Sequence, residues 1–123
     1  MNKRFNCILL FILFVFLSAC SSERFDGSKT ENAQQFIMDY TIFTGVESHV
    51  LSLNEGDQLS VEIVSHSGKI DLEIAMVGAE PIYVGNDASN SSFGLNITKD
   101  GDYTITATGK KAKGGISITT NGI

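Results

Sequence analysis

Cysteine, histidine and carboxylate are the side chains of this 123-residue chain that could carry chemistry, and each is sparse or scattered. The histidines are His49 and His66. A hydrolase triad needs an imidazole held between a hydroxyl and a carboxylate. His66 lies beside the Ser67–Gly68 turn signal and His49 follows Val46-Glu47-Ser48, so both read as exposed strand-end residues. No nucleophile-elbow motif accompanies them. Asp71 and Glu73 share one strand face at spacing i, i+2, which reads as a solvated surface and not an acid–base couple. The stretch 85–92 and the turn 99–102 supply Asn86, Asp87, Asn90, Asp100 and Asp102. Such oxygens can hold calcium, with Asp87, Asp100 and Asp102 as the candidate ligands, but the EF-hand spacing is absent. Asx residues also serve turns for their own sake, and no metal site is assigned. Tyr40, Tyr83 and Tyr103 could form a sugar platform in a chain without Trp. Lys110, Lys111 and Lys113 read as a solvated hairpin tip guarding an edge strand. No catalytic residue or cofactor emerges, and an enzyme is not expected.

The cysteines, Cys7 and Cys20, have a different context. Lys3 and Arg4 make the N-terminus cationic, and an unbroken apolar run of 11 residues follows from Cys7 to Leu17. As a helix that run would reach about 16 Å at ~1.5 Å per residue, roughly half the ~30 Å hydrocarbon core of a bilayer. A basic start, a short apolar run and small residues before a cleavage point are the marks of an export signal. The run stops at Leu17-Ser18-Ala19-Cys20. That tetrapeptide resembles the lipobox of bacterial lipoproteins, an aliphatic residue, two small residues and an obligatory cysteine, at all four positions. The resemblance implies cleavage between Ala19 and Cys20 and a diacylglycerol on the Cys20 thiol. Two acyl chains hold a protein on a bilayer where one holds it only marginally. Residues 1–19 are then a signal peptide, and the mature chain sits on the extracytoplasmic side of the cell membrane. Ser21 permits the outer membrane if the cell has two.

Cleavage leaves 104 residues, one domain by length. They carry 7 basic and 14 acidic side chains, a formal charge of −7. Such a chain is not built to neutralise phosphates, so nucleic acid is excluded as a partner and attraction to an anionic lipid surface is not expected. Lipid, not charge, must hold it. Loss of Cys7 also removes any disulfide or thiol chemistry apart from the acylated Cys20. Residues 20–34 are polar apart from Phe25 and read as a flexible tether of about 20 Å typical reach.

From Gln35 the apolar period is two, not 3.6. Leu59, Val61 and Ile63 share a face, as do Ile70, Leu72, Ile74 and Met76. Phe93, Leu95 and Ile97, then Tyr103, Ile105 and Ala107, then Ile116 and Ile118, repeat the pattern. Each run has one face for a core and one for water. Turn formers separate them at Asn54–Asp57, Ser67–Lys69, Lys99–Asp102 and Lys113–Gly115. With 36–43, 49–53 and 81–84 added, seven or eight short strands at this spacing predict an all-β antiparallel sandwich or jelly roll over residues 35–123. The expected core includes Leu59, Val61, Ile63, Leu72, Ile74, Phe93, Leu95, Tyr103 and Ile105.

Across about Thr41 to Ile118, the succession of Gly56-Asp57, "GKIDLEI", "SSFG", "DGDYTI" and "GKKAKGGISI" resembles a module of bacterial surface lipoproteins. More distantly it is similar to the pre-peptidase C-terminal-type domain appended to secreted bacterial peptidases. The resemblance implies a small jelly-roll or sandwich module, with Tyr103 packed inside. The expected function is a lipid-anchored, monomeric, non-catalytic binding or structural module for a protein or envelope polymer. The alternative is an accessory module that binds carbohydrate or calcium beside a separate enzyme.

Overall fold

The computed structural model describes residues 23–120; the expected signal peptide, with Ala19 and Cys20 of its expected cleavage site, lies outside them. Six strands follow one another: β1 (Arg24–Asn32), β2 (Gln35–Leu53), β3 (Gln58–Met76), β4 (Pro81–Gly85), β5 (Ser91–Asn96) and β6 (Gly101–Thr120). All pair antiparallel, in the order β1-β2-β6-β3-β4, and β5 also lies against β3. The protein is all-β, as its alternation predicts.

The count is six strands and not seven or eight, because β2, β3 and β6 each run through two of the expected strands. Their registers break at one level: at Tyr40–Gly45 in β2, at Ser65–Lys69 in β3, and opposite these in β6. Positive φ values cluster there, at Gly45, Gly68, Lys111 and Gly114. Gly68 (φ 73°) is packed so tightly that a Cβ would stand 2.0 Å from the Lys111 carbonyl oxygen. Bulges of this kind bend a strand and raise its twist without ending it. Ser67–Lys69 and Lys113–Gly115 are therefore bends, not reversals.

The bend folds one sheet into two layers. The first holds β1, the start of β2, the end of β6, the start of β3 and β5; the second holds the end of β2, the start of β6, the end of β3 and β4. Ring contacts cross between them on both sides: Phe36 stacks on His49 at 5.6 Å, and Tyr83 meets Phe93 at 4.9 Å. The filling is a single apolar cluster. It contains Leu59, Val61, Ile63, Leu72, Ile74, Tyr103 and Ile105 as expected, while Phe93 and Leu95 are only partly buried on the edge strand β5. Phe36, Met38, Leu51 and Leu53 of β2 complete it.

Residues 24–32, expected within a tether, are strand β1. The segment shows no alternation because it is an edge strand with nearly every side chain exposed. Its backbone pairs with β2 from Arg24↔Thr44 to Asn32↔Gln35. Phe25 packs on Phe43 and Tyr40, ring centres 5.8 and 6.4 Å away. The folded part thus begins by Arg24 and not at Gln35.

Candidate functional site

A cleft of about 320 Å³ opens on the outer face of the first layer. Outward side chains of β2 and β3 flank it: Ile37 and Asp39 on one side, Glu62 and Val64 on the other. Between them runs the end of β6, where Gly115 pairs with both Asp39 and Val64. Because Gly114 and Gly115 carry no side chains, the central strand is a notch. A Cβ on Gly115 would stand 2.8 Å from Asp39 Oδ1, and one on Gly114 1.9 Å from the Val64 carbonyl oxygen. Lys113 and His66 stand at the bend end of the notch, and Ser117 at the other. Ion pairs among the described residues join Arg24–Asp26, Lys29–Glu47 and His49–Glu31, so the charges around the notch are left unpaired.

Ser117 lies three residues along β6 from Gly114, whose partner Ser65 adjoins His66. At ~3.4 Å per residue the two backbone positions lie about 10 Å apart along the strands. No hydrogen bond joins the Ser117 hydroxyl to the His66 imidazole, the contact a nucleophile and its base require. The notch can seat a polar or charged group over the glycine backbone, between Ile37 and Val64. The period of two in Leu59–Ile63 already turns Glu62 outward, but Lys113–Gly115 reads as a turn in the sequence, which hides the notch.

Tyr40 faces inward beside this region. Its hydroxyl is buried with no hydrogen-bond partner among the described residues. Burial first, and the neighbouring Asp39 charge second, push the phenol up to about 12, so it stays protonated at physiological pH. Tyr103 is also interior, its hydroxyl donating to the Lys99 carbonyl at 2.7 Å. Tyr83 is half-buried against Phe93. The three rings fill the sandwich and form no sugar platform.

The oxygen-bearing residues separate to opposite ends. Near the bend, Asp71 Oδ1 accepts from the Asp87 backbone N–H (2.7 Å) and Asn90 Oδ1 from that of Ser65 (2.7 Å). At the far end, Asp100 Oδ1 accepts from the Glu55 N–H (2.6 Å) and Asp102 from the Ser52 hydroxyl (3.2 Å). Asp87, Asp100 and Asp102 therefore do not converge, and among the described residues no three metal-ligating side chains group. Asn86 borders a shallow depression over Asp71, Glu73, Thr106 and Thr108, on the outer face of the second layer.

His66 is exposed as expected, within β3 at the bend. His49 is not an exposed strand end. It is half-buried inside β2, stacked on Phe36, with Nε2 donating to the Asn32 carbonyl (2.5 Å) and Nδ1 3.4 Å from the Glu31 carboxylate. There it ties the β1–β2 turn to the second layer.

No protein-family model matches the chain, and no curated protein matches it. Among solved structures it is similar to PliG of Aeromonas hydrophila, a periplasmic lysozyme inhibitor of g-type lysozyme: 13% identity over 79% of this chain and 88% of that one, TM-score 0.49. It is also similar to the low affinity xylan binding module CBM86 of Roseburia intestinalis (12%; 79% and 82%; 0.42). A cupin-like protein of Desulfovibrio desulfuricans is a third (18%; 81% and 91%; 0.39). At these scores the likenesses assign no activity and no ligand, which rest on the chain's own residues.

Proposed function

We propose that this is a lipid-anchored protein of the bacterial cell envelope whose bent sandwich is a non-catalytic binding module. The observation that carries the proposal is Leu17-Ser18-Ala19-Cys20, placed where an 11-residue apolar run ends and just before the folded part begins. Cleavage before Cys20 and acylation of its thiol put the domain on the extracytoplasmic side of a membrane. The ligand seat is the notch over Gly114 and Gly115. Its volume falls within the range of ligand pockets, roughly 300–1,000 Å³. Unpaired Asp39, Glu62 and Lys113 give it groups that a polar partner, a protein or an envelope polymer, can satisfy. That no hydrogen bond joins Ser117 to His66 supports binding over catalysis.

Metabolic acyl labelling in cells tests the anchor. The native protein takes up label and Cys20→Ser takes up none; equal labelling of the two would overturn the assignment. The seat is tested separately, by placing a photo-crosslinking residue at Ile37 in the notch or at Val84 on the other layer. Adducts from Ile37 that fade in Asp39→Asn/Glu62→Gln support the notch; adducts confined to Val84 would remove the ligand to the other face.

A further inference from the structure

The bend gathers lysines in an acidic molecule. Lys69 and Lys110 are direct cross-strand partners, Lys111 follows with a φ of 49°, and Lys113 pairs with Ser67. All four are exposed, and none forms an ion pair with a described residue. Like charges held directly opposite in a sheet are destabilising, so the fold maintains a repulsion that an anionic surface would relieve. Of the carboxylates near the bend, Asp26 pairs with Arg24 and Glu47 with Lys29. Asp71 accepts from the Asp87 backbone, and Glu23, Asp39 and Asp87 border the lysines without an ion pair to a described residue. At the opposite end lie Glu31, Glu55, Asp57, Asp100 and Asp102, accompanied by Lys99. The lysines are thus gathered at the bend, whereas carboxylates occur at both ends.

The chain enters at the same bend. Arg24 pairs with Thr44, whose hydroxyl accepts from the Lys111 backbone N–H (3.0 Å), and Glu23 packs against Gly45. Arg24 is four residue steps beyond Cys20. At 3.3–3.6 Å per residue they span at most about 14 Å, comparable with the ~10 Å Debye length at 0.1 M salt.

We infer that the bend is the membrane-facing side of the protein, with Lys69, Lys110, Lys111 and Lys113 set against the anionic phospholipid headgroups of the bilayer that holds Cys20. The inference rests on the acylated-Cys20 reading above. The formal charge of −7 argues against membrane attraction only if charge is averaged over the surface. Close to the bilayer, the bend is what the lipid meets.

The test uses acylated protein purified from membranes and reconstituted in phosphatidylcholine vesicles, with or without about one third phosphatidylglycerol. A dye is attached at Ser67→Cys on the bend, or at Asn54→Cys at the open end, and a quencher is carried on headgroups. Quenching at position 67 is expected to be at least about twofold stronger in the anionic vesicles. It should fall to the neutral-vesicle level in Lys69→Gln/Lys110→Gln/Lys111→Gln, and in about 1 M salt, where the Debye length is about 3 Å. Position 54 should respond in neither. Circular dichroism melts confirm that each variant is folded. Co-sedimentation with both vesicles but equal quenching at position 67, or a response only to an added polyphosphate polymer, would overturn the inference and leave the anchor standing. Failure to sediment with either vesicle would overturn both.

Discussion

Tyr40 is the residue where structure and energetics disagree most plainly. Its ring belongs in the core, against Phe43 and Phe25, but its hydroxyl is buried without a partner. Leaving a buried polar group unsatisfied costs about 1–3 kcal/mol. Tyr40→Phe should therefore keep or raise stability, by about 1 kcal/mol in urea melts. A loss of 2 kcal/mol or more would mean the hydroxyl has a partner after all. The same group gives a pH signature. Its folded-state value is about 12 against 10.0 in the unfolded chain, so below pH 10 both states hold the proton and stability is unaffected. Between pH 10 and 12 the unfolded state releases its proton first, and stability falls as pH rises. Native protein should lose about 2 kcal/mol more than Tyr40→Phe over that interval; parallel curves would place the phenol in water.

The elements are held in shape by glycines whose positions were legible and whose purpose was not. Gly68 and Gly114 announce a break in extended structure, but a positive-φ glycine serves a reverse turn and a bulge alike. Local sequence does not say whether the chain reverses; only the pairing of Ser67 with Lys113 and Lys69 with Lys110 does. The alternation of Leu59–Ile63 and Ile70–Ile74 was readable because those strands bury one face. β1 was not, because an exposed edge strand buries neither. The same ambiguity hid the notch, since a glycine pair taken for a turn cannot also be the floor of a cleft. Two comparisons follow at this scale. Gly68→Ala should destabilise by more than about 2 kcal/mol, because a Cβ meets backbone at 2.0 Å. Gly56→Ala, with φ 95° and nothing within 4 Å, should cost only the ~1–2 kcal/mol of a left-handed residue. Equal urea midpoints would refute the bend. Likewise, a chain starting at Gln35 lacks β1 and uncovers Tyr40 and Phe43. It should melt several degrees below one starting at Glu23, at roughly 4–8 °C per kcal/mol for a domain this size; identical melts would return residues 24–32 to the status of a tether.

At the scale of the whole molecule, the ends of the sandwich differ in kind. The bend gathers the chain entry and the lysines, and the open end gathers the carboxylates of Glu55, Asp57, Asp100 and Asp102. In the proposed reading an anchor at Cys20, four residues before β1, would set the bend toward the bilayer and leave the notch over Gly115 on the flank, reachable from the side. The lipobox-like pattern Leu17–Cys20 is a local feature that can be read residue by residue, whereas the lysine cluster is not, because Lys69 and Lys110 are brought together only by the register of β3 on β6. The whole account depends on Cys20. Intact-mass and N-terminal peptide mass spectrometry of the protein purified from cell membranes tests it most directly. The predicted N-terminal residue is Cys20, with a diacylglyceryl mass on its thiol; a chain that retains residues 1–19, or that begins elsewhere with Cys20 as a free thiol, would contradict it.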